Sequence, residues 1–372
     1  MADKLKLCVV STPMTVGGYD MVALNFQKNL DKEKFEITYC LHGEEIGALE
    51  KEAKENGARI IHQPDSTCNY FSSYFYYKNF FSEHNYDIVH SHLNFFSGIV
   101  MKAAYKSGVK KRIPHSHFTD PCIENRSFIK RIIASVYQSV MRIWLKKYST
   151  NLVSCGKEAG EYLYGKKTFS ERGELVNNGV FIDKFYYSEY NREEIRREFG
   201  LEEKTVLGHV GRLNYIKNHK FIVDIFYEFQ KNHPDSALLI VGDGEQRENI
   251  LNKAESLGIK DKVIITGIRN DVDKILSAMD CFVFPSLKEG FPLTLVEAQA
   301  TKLACVISDS VTASANINSN VSYLSLGASA AEWAGEVEKL INIKRSEVDL
   351  SKLINEFDIR NCTRKMEEIY LS

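Results

Sequence analysis

No apolar run in this chain approaches the ~18 residues that a membrane-crossing helix needs, so the sequence predicts no transmembrane span. The eight cysteines (Cys8, Cys40, Cys68, Cys122, Cys155, Cys281, Cys305, Cys362) contain no C-x-x-C pair. Scattered in this way, they predict reduced, mostly buried thiols rather than a disulfide frame. Met1–Val10 runs straight into a strand without the long apolar region and cleavage site of a signal peptide, which predicts a cytosolic protein. No P-loop, no G-x-S-x-G elbow, no internal repeat at a solenoid period and no low-complexity segment is present.

What is there fits a soluble α/β protein. At 372 residues the chain is long enough for two domains, each with its own core. Its 44% hydrophobic and 26% charged residues are ordinary for a globular chain. The net charge of −1 divides unevenly, with +5 over residues 1–180 and −6 over the remainder. Cations gather at Lys102, Lys106, Lys110, Lys111 and Arg112, then at Arg126, Lys130, Arg131, Arg142, Lys146 and Lys147. Charge polarised in this way can orient a protein on an anionic surface. No nucleic-acid partner is expected.

Short apolar runs alternate with amphipathic stretches along the whole chain, the signature of a doubly wound α/β fold. Strands are predicted at 5–10, 35–41, 59–62, 87–91, 112–115 and 151–154, then at 205–210, 237–241, 263–266, 281–284 and 304–308. The clearest helices are 20–30, 46–56, 95–107 and 126–147, whereas 65–80 and 118–127 read as loops. Periodicity fades over 181–190, which marks a crossing between two Rossmann-like domains. The expected division is 1–185, 186–355, and a C-terminal helix at 356–372 that returns to the first domain.

Ser286–Ala300 is the most informative stretch. Glu289 and Glu297 stand eight positions apart around the start of a helix, with Pro292 suited to the first helical position. Phe291, Pro292 and Leu293 are expected to offer backbone N–H groups there, a ready site for phosphate. With Gly290 just before them, a ligand across this terminus is gripped at three points: a diphosphate by the amides and two polyols by the carboxylates. That outline fits a sugar nucleotide. The bland alternative is a helix with ordinary surface acids.

Other candidates follow strand ends, where ligands of open α/β sheets bind. Gly17 and Gly18 lie in a loop after the first strand that lets amides approach a substrate, although a plain turn reads the same. His90-Ser-His92 and His115-Ser-His117 end the fourth and fifth strands. Each triplet has both imidazoles on one strand face. No acidic or Cys partner stands at convincing spacing, so hydrogen bonding to a substrate is preferred to metal binding. Gly211, Arg212 and Lys217 open the second domain as a phosphate clamp, unless both cations are merely solvated. Gly242-Asp-Gly244 is a tight turn with Arg247 where a dinucleotide motif needs glycine. Asp271-Val-Asp273 matches a D-x-D metal pattern but precedes a helix, so Asp271 is read as an N-cap.

Together these residues resemble the retaining, GT-B-fold glycosyltransferases of family 4, over nearly the full chain. The most specific parts are Gly211-Arg-Leu with Lys217-Asn218, Pro285-Ser-x-x-Glu-Gly-Phe-Pro-Leu, Glu297-Ala-Gln, and Asn178-Gly-Val. Val153–Gly160 and Arg112–His117 are similar to the branch that builds bacterial capsule, exopolysaccharide and O-antigen chains. Thr301-Lys-Leu-Ala304 departs from the family's Gly-x-Pro turn, and 310–320 matches nothing in it.

The resemblance implies two Rossmann-like domains facing across a cleft, with a nucleoside-diphosphate sugar, expected to be a UDP-sugar, on the C-terminal one. Arg212 and Lys217 would hold the diphosphate, Glu289 the sugar hydroxyls, Glu297 the ribose, and Gly267 and Arg269 would lie near the base. His117 or His115 would face the reacting sugar. No metal, no resident cofactor and no carboxylate nucleophile is implied. The acceptor would be a glycan or a lipid-linked sugar.

Two other classes compete. A sugar-nucleotide epimerase or hydrolase would need acid/base carboxylates, for which the first domain offers only Asp120 and Glu124. A two-lobed binding protein would usually be exported. Residues 128–147 mix apolar and basic side chains, which predicts either peripheral contact with an anionic membrane on the cytoplasmic face or plain packing on the sheet.

Overall fold

The computed structural model describes residues 4–15, 18–117, 128–289 and 291–372. The chain divides into two compact units, residues 1–179 with 359–372, and residues 180–358.

The first unit is a parallel sheet of β1 (Leu5–Ser11), β2 (Phe35–His42), β3 (Arg59–Gln63), β4 (Ile88–Ser91), β5 (Lys111–Ser116), β6 (Leu152–Ser154) and β7 (Gly173–Leu175). Their order is β3-β2-β1-β4-β5-β6-β7, so the winding reverses between β1 and β4. β1 pairs Leu5 with Phe35 of β2 and Leu7 with Ile88 of β4. Helices α1 (Gly18–Asn29), α2 (Glu50–Glu55), α3 (Tyr70–His84), α4 (Ser97–Lys106), α5 (Phe128–Tyr148), α6 (Lys157–Tyr164) and α7 (Lys166–Arg172) connect them. β1 is buried from Leu7 to Ser11, as a strand covered on both faces must be.

The second unit orders β8 (Thr205–Val210), β9 (Ser236–Val241), β10 (Val263–Ile265), β11 (Cys281–Phe284), β12 (Ala304–Ser308) and β13 (Val321–Leu324) as β10-β9-β8-β11-β12-β13. Its helices are α8 (Glu189–Phe199), α9 (His219–Gln230), α10 (Arg247–Ser256), α11 (Val272–Ala278), α12 (Leu293–Ala300), α13 (Ala330–Leu340) and α14 (Ser351–Phe357). One core cluster lies around Val206, Leu239, Phe282 and Leu295, and another around Leu238, Val283, Phe226 and Trp333. Adjacent strand residues thus feed separate clusters, as the two-residue period requires.

The C-terminal helix α15 (Ile359–Leu371) belongs to the first unit. Glu367 accepts the Asp31 N–H at 2.9 Å, and Tyr370 meets the Phe35 ring edge-on at 5.6 Å. The break between units falls at Gly179 rather than after residue 185, because Val180, Ile182 and Phe185 are already buried in the second core. The return falls after Asp358 rather than 355, because Phe357 is in that core too.

Two edge strands, β7 and β13, are too short and too mixed to read from the sequence. The expected loop at 65–80 is mostly helix. Asn69 caps α3 by accepting from Phe71 N–H and Ser72 N–H, and Tyr77, Phe80 and Phe81 fall on its buried side. The predicted loop at 118–127 lies outside the described residues. Of the cysteines, the seven described are free thiols, and all but Cys68 are buried.

Candidate active site

In the second unit the winding reverses at β8 and β11, so ligand chemistry belongs at their carboxyl ends. β8 runs directly into Gly211 and Arg212. A Cβ on Gly211 would stand 3.4 Å from Lys217 Cε and 3.1 Å from His209 Nε2, so glycine leaves room for the lysine stem. Gly242 closes on the same spot with φ of +136°, where a Cβ would meet the Gly211 carbonyl oxygen at 2.0 Å. Gly267, at φ of +77°, accepts the Gly242 N–H at 2.9 Å and so braces this turn from behind.

Lys217 ends a short 3-10 turn in which Asn214 Oδ1 accepts its N–H at 3.1 Å. Asn218 follows in the left-handed region, at φ of 55°, and redirects the chain into α9. The Lys217 ammonium donates to Glu289 Oε1 at 2.7 Å and lies 4.7 Å from the centre of the Phe284 ring. Both side chains of this pair are largely enclosed, at 17% and 13% exposure. Arg212 is the opposite, at 76% exposure with Glu245 as a loose partner at 3.8 Å. One cation is fixed in the site and the other is free to swing.

The loop carrying Glu289 is fastened from three directions. Asn218 Nδ2 donates to the Pro285 carbonyl at 3.2 Å, Leu287 N–H donates to Ile216 at 2.8 Å, and the hydroxyls of Ser308 and Ser310 both donate to the Ser286 carbonyl. Gln299 then holds the segment that matched no family pattern: it donates to Ala315 O and accepts from Ile317 N–H and Asn318 N–H. These fasteners were not readable in sequence, since each joins loops with no local pattern. Gly290 lies outside the described residues.

The helix start differs from expectation by one residue. Pro292 has extended backbone, with ψ of 106°, and is the N-cap of α12 rather than its first residue. Proline also has no N–H, so it cannot be one of the three amide donors. Leu293 and Thr294 supply the first amides of the helix, since Leu295 N–H already bonds Pro292 O. Phe291 stacks on Phe357 at 5.1 Å, which seats the loop on the core. Glu297 lies just over one turn inside α12. Burial pushes its carboxyl up to about 7, against the pull of Lys184, with Asp273 adding to the rise.

Arg269 is spent on protein partners. It donates to Glu198 at 2.8 and 3.1 Å and to Asp271 at 2.8 Å from two nitrogens. Asp271 occupies the N-cap position of α11, but its side chain makes no capping bond because Arg269 holds both oxygens.

The first unit gathers its four strand-end histidines into one buried stack. His90 and His115 rings lie 5.3 Å apart, and those of His92 and His117 5.0 Å apart. His92 Nδ1 and His117 Nε2 are 2.7 Å apart, His90 Nε2 and His115 Nδ1 3.2 Å, and His90 Nδ1 and Tyr370 Oη 2.7 Å. Burial, with repulsion among the rings, holds His92 and His115 far below the usual imidazole range. It lowers His90 to about 3, and burial alone lowers His117 to about 4 against a hydrogen bond that the ring donates to Asn178. All four are therefore neutral at pH 7. His115 is fully enclosed, whereas His117 keeps slight exposure.

His90, His92 and His115 are the described residues close enough to share a metal ion, with ligand atoms within 4.8 Å. The His90–His115 hydrogen bond already uses one nitrogen of each. Gly17 lies outside the described residues, and Gly18 is the first residue of α1. Asp20, which sequence reasoning passed over, ties the preceding loop by accepting from Thr15 N–H and Oγ1 at 3.1 and 2.9 Å.

Two parallel-sheet α/β domains, the second presenting a lysine–glutamate pair at its switch point, form the architecture of the GT-B glycosyltransferases, and both halves of the chain match glycosyltransferase families. Residues 16–184 match the family Glycosyltransferase Family 4, and residues 191–356 match Glycosyl transferases group 1. The chain is 26% identical to the capsular polysaccharide biosynthesis glycosyltransferase CapH of Staphylococcus aureus, over 99% of both chains. It is 28% identical to the Escherichia coli UDP-Gal:alpha-D-GlcNAc-diphosphoundecaprenol alpha-1,3-galactosyltransferase, over 86% of this chain and 81% of that one. The crystal structure of Anabaena Alr3699/HepE in complex with UDP superposes with a TM-score of 0.79 at 16% identity, covering 98% and 99% of the two chains. The protein is a glycosyltransferase with a Glycosyltransferase Family 4 domain followed by a glycosyl transferases group 1 domain.

Proposed function

We propose that this enzyme moves a sugar from a UDP-sugar to a glycan or lipid-linked acceptor in bacterial surface-polysaccharide synthesis, with retention at the anomeric carbon. The observation that carries this is the enclosed Lys217–Glu289 pair, held at the strand ends of the second unit by a loop fastened on three sides. An ammonium pre-placed there meets a diphosphate without reorganisation, and its carboxylate partner is then released to the hydroxyls of the donor sugar. The UDP-binding and lipid-linked relatives support the choice of donor and acceptor class.

In this reading the anomeric C–O bond to the diphosphate breaks as the acceptor oxygen attacks the same face. The acceptor proton passes to the departing phosphate oxygen. Lys217, Arg212 and the first amides of α12 stabilise the charge that grows there, a term usually worth several kcal/mol. Arg212, exposed in this structure, closes on the phosphates when donor binds. Glu297 bonds the ribose hydroxyls, and Gly211 and Gly267 keep the backbone close to the nucleotide. Arg269 acts through its ion pairs, shaping the base pocket rather than touching the base. His117 offers the most exposed imidazole of the four-ring stack to the substrates, with His115 packed beneath it. The enzyme rests peripherally on an anionic membrane through α5.

Incubating the purified protein with a panel of UDP- and GDP-sugars, with and without EDTA, tests the reading. Transfer from a UDP-sugar with the α-anomer retained, undiminished by chelation, is expected. Isomerisation of the donor without transfer would overturn the transferase mechanism, and loss in EDTA restored by Mn²⁺ would overturn its metal independence.

A further inference from the structure

Helix α5 has two apolar faces, and the core uses only one. Met141 and Leu145 are buried. Ile129, Ile132, Ile133, Val136, Val140 and Ile143 remain exposed, from 70% at Ile129 to 37% at Val140. At 100° per residue these six fall within an arc of about 100°. The same helix carries Lys130, Arg131, Arg142, Lys146 and Lys147 and has no acid anywhere in its 21 residues. A second copy of this surface would set cations against cations, so the complement is anionic and apolar together.

Beside the stripe, α5 forms one wall of an open cavity of about 720 Å³. Tyr70, Phe96, Ile133 and Tyr137 line it, with Lys130 and Gln138 as polar groups. Tyr70 lies 5.0 Å from Tyr137 and 5.8 Å from Phe96, ring centre to ring centre. The far wall, Leu93 to Phe96, leaves the carboxyl end of β4 one residue after His92. The cavity therefore opens from the strand ends where an α/β sheet gathers its ligands.

We propose that this cavity holds the isoprenoid chain of a polyprenyl-diphosphate-linked acceptor, while the outer stripe of α5 lies among the headgroups of an anionic bilayer. The inference rests on the lipid-linked acceptor reading and adds where the chain goes. A single hydrocarbon chain drawn sideways from the bilayer fills the aromatic-walled cavity. Its diphosphate then meets Lys130, and the acceptor sugar points toward the strand ends.

The test uses the full-length enzyme on vesicles of phosphatidylcholine and phosphatidylglycerol containing a polyprenyl phosphate with a photoreactive diazirine near its head. Label is expected within residues 130–138 and at Tyr70 or Phe96. Ala134→Trp, which fills the cavity from a partly exposed position, should cut labelling about tenfold while vesicle co-sedimentation and UDP binding persist. Tyr70→Asn, which makes one wall polar without touching the α5 stripe, should do the same in case the tryptophan is not tolerated. Labelling confined to Ile129, Ile132 and Ile143, and competed away by excess phospholipid, would mean bilayer acyl chains only and overturns the proposal. So would unchanged labelling in both variants. Labelling does not require turnover, so an enzyme that labels as expected but transfers from no nucleotide sugar would sink the function reading instead.

Discussion

The two units share one winding order and furnish their strand ends with different electrostatics. At the carboxyl ends of β8 and β11 the second unit sets full charges, Lys217 on Glu289 and Arg212 held loosely, with the Glu297 carboxyl of α12 raised to about 7. At the carboxyl ends of β4 and β5, one strand further along the order than the β1 and β4 pair that matches β8 and β11, the first unit sets four imidazoles that burial keeps uncharged. The charged end suits an anion whose charge grows during reaction. The neutral end suits polyols, which need directed hydrogen bonds without a field that would trap a diphosphate in the wrong half. The shared winding order thus says where ligands go, and side-chain ionisation says which.

The largest break in this comparison comes from the cations. Arg212→Ala and Lys217→Ala should each lower transfer about 30- to 1000-fold, the range for a loss of about 2–4 kcal/mol in the transition state, with the fold intact by circular dichroism. Lys217→Ala should be the worse, because it also leaves the Glu289 carboxylate enclosed without its partner. Near-normal turnover in both would remove the clamp.

Next come the two glutamates. Glu297→Gln should weaken UDP binding about tenfold at pH 8, whereas Glu289→Gln should leave UDP affinity nearly intact and reduce turnover. The Glu297 carboxyl sits near 7, so it is largely protonated at pH 6 and a poorer acceptor for ribose hydroxyls. UDP affinity of the wild type should therefore rise more steeply from pH 6 to pH 8 than that of Glu297→Gln, in which only the second ionisation of the UDP phosphate remains. The sign for stability runs the other way. A carboxyl raised on folding contributes stability that is present below its unfolded value near 4.5 and is lost as pH rises through about 7. Glu297→Gln should hence gain in melting temperature relative to wild type at pH 8. Calorimetry and thermal melts at pH 6 and pH 8 give both readings.

Much of this was legible in sequence because it is local. Eleven strands show as short apolar runs, and Glu289, Lys217 and Gly211 sit in compact motifs. What escaped is what joins distant segments. Ser310 reaches Ser286 across 24 positions, and Gln299 staples residues 315 to 318. Arg269 was expected near the base, but its partner Glu198 lies 71 positions away, and no spacing rule links them. The histidine triplets were visible, yet their stacking depends on β4 pairing with β5, which places His90 beside Ile113 and brings the triplets together only in three dimensions. Pro292 slipped by one because the loop's anchoring, not the proline, sets where α12 begins.

The neutral end predicts an unequal response to acid. Each imidazole whose folded value is depressed leaves stability unchanged above about 6.5, where the unfolded ring is neutral too. It then withdraws up to about 1.4 kcal/mol per pH unit as pH falls toward the folded value. The first unit has four such rings, whereas the second has His209 and His219, the latter near 4. Hydrogen exchange at pH 5 against pH 7.5 should show β4 and β5 losing more protection than β8 and β11. Equal losses would mean that the histidine stack is not what sets the acid limit.

The smallest effect concerns a turn where the second unit carries strain that the first avoids. Helix α12 ends in a Schellman motif: Leu303 N–H bonds Ala298 O at 3.1 Å and Lys302 N–H bonds Gln299 O at 3.0 Å. The residue that must turn left-handed is Lys302, at φ of 56°, in the stretch that departs from the family's glycine turn. In the first unit, α3 ends in Asn85 at φ of 53°, a residue that tolerates this region. Lys302→Gly relieves about 1 kcal/mol of backbone strain and returns roughly half of it through a more flexible unfolded chain. A rise of about 1–2 °C in the melting temperature of the second unit is expected. Asn85→Gly, with little strain to relieve, should give no gain. If Lys302→Gly lowers the melting temperature instead, the lysine stem packs usefully across the end of α12, and the departure from glycine at this turn stabilises the fold.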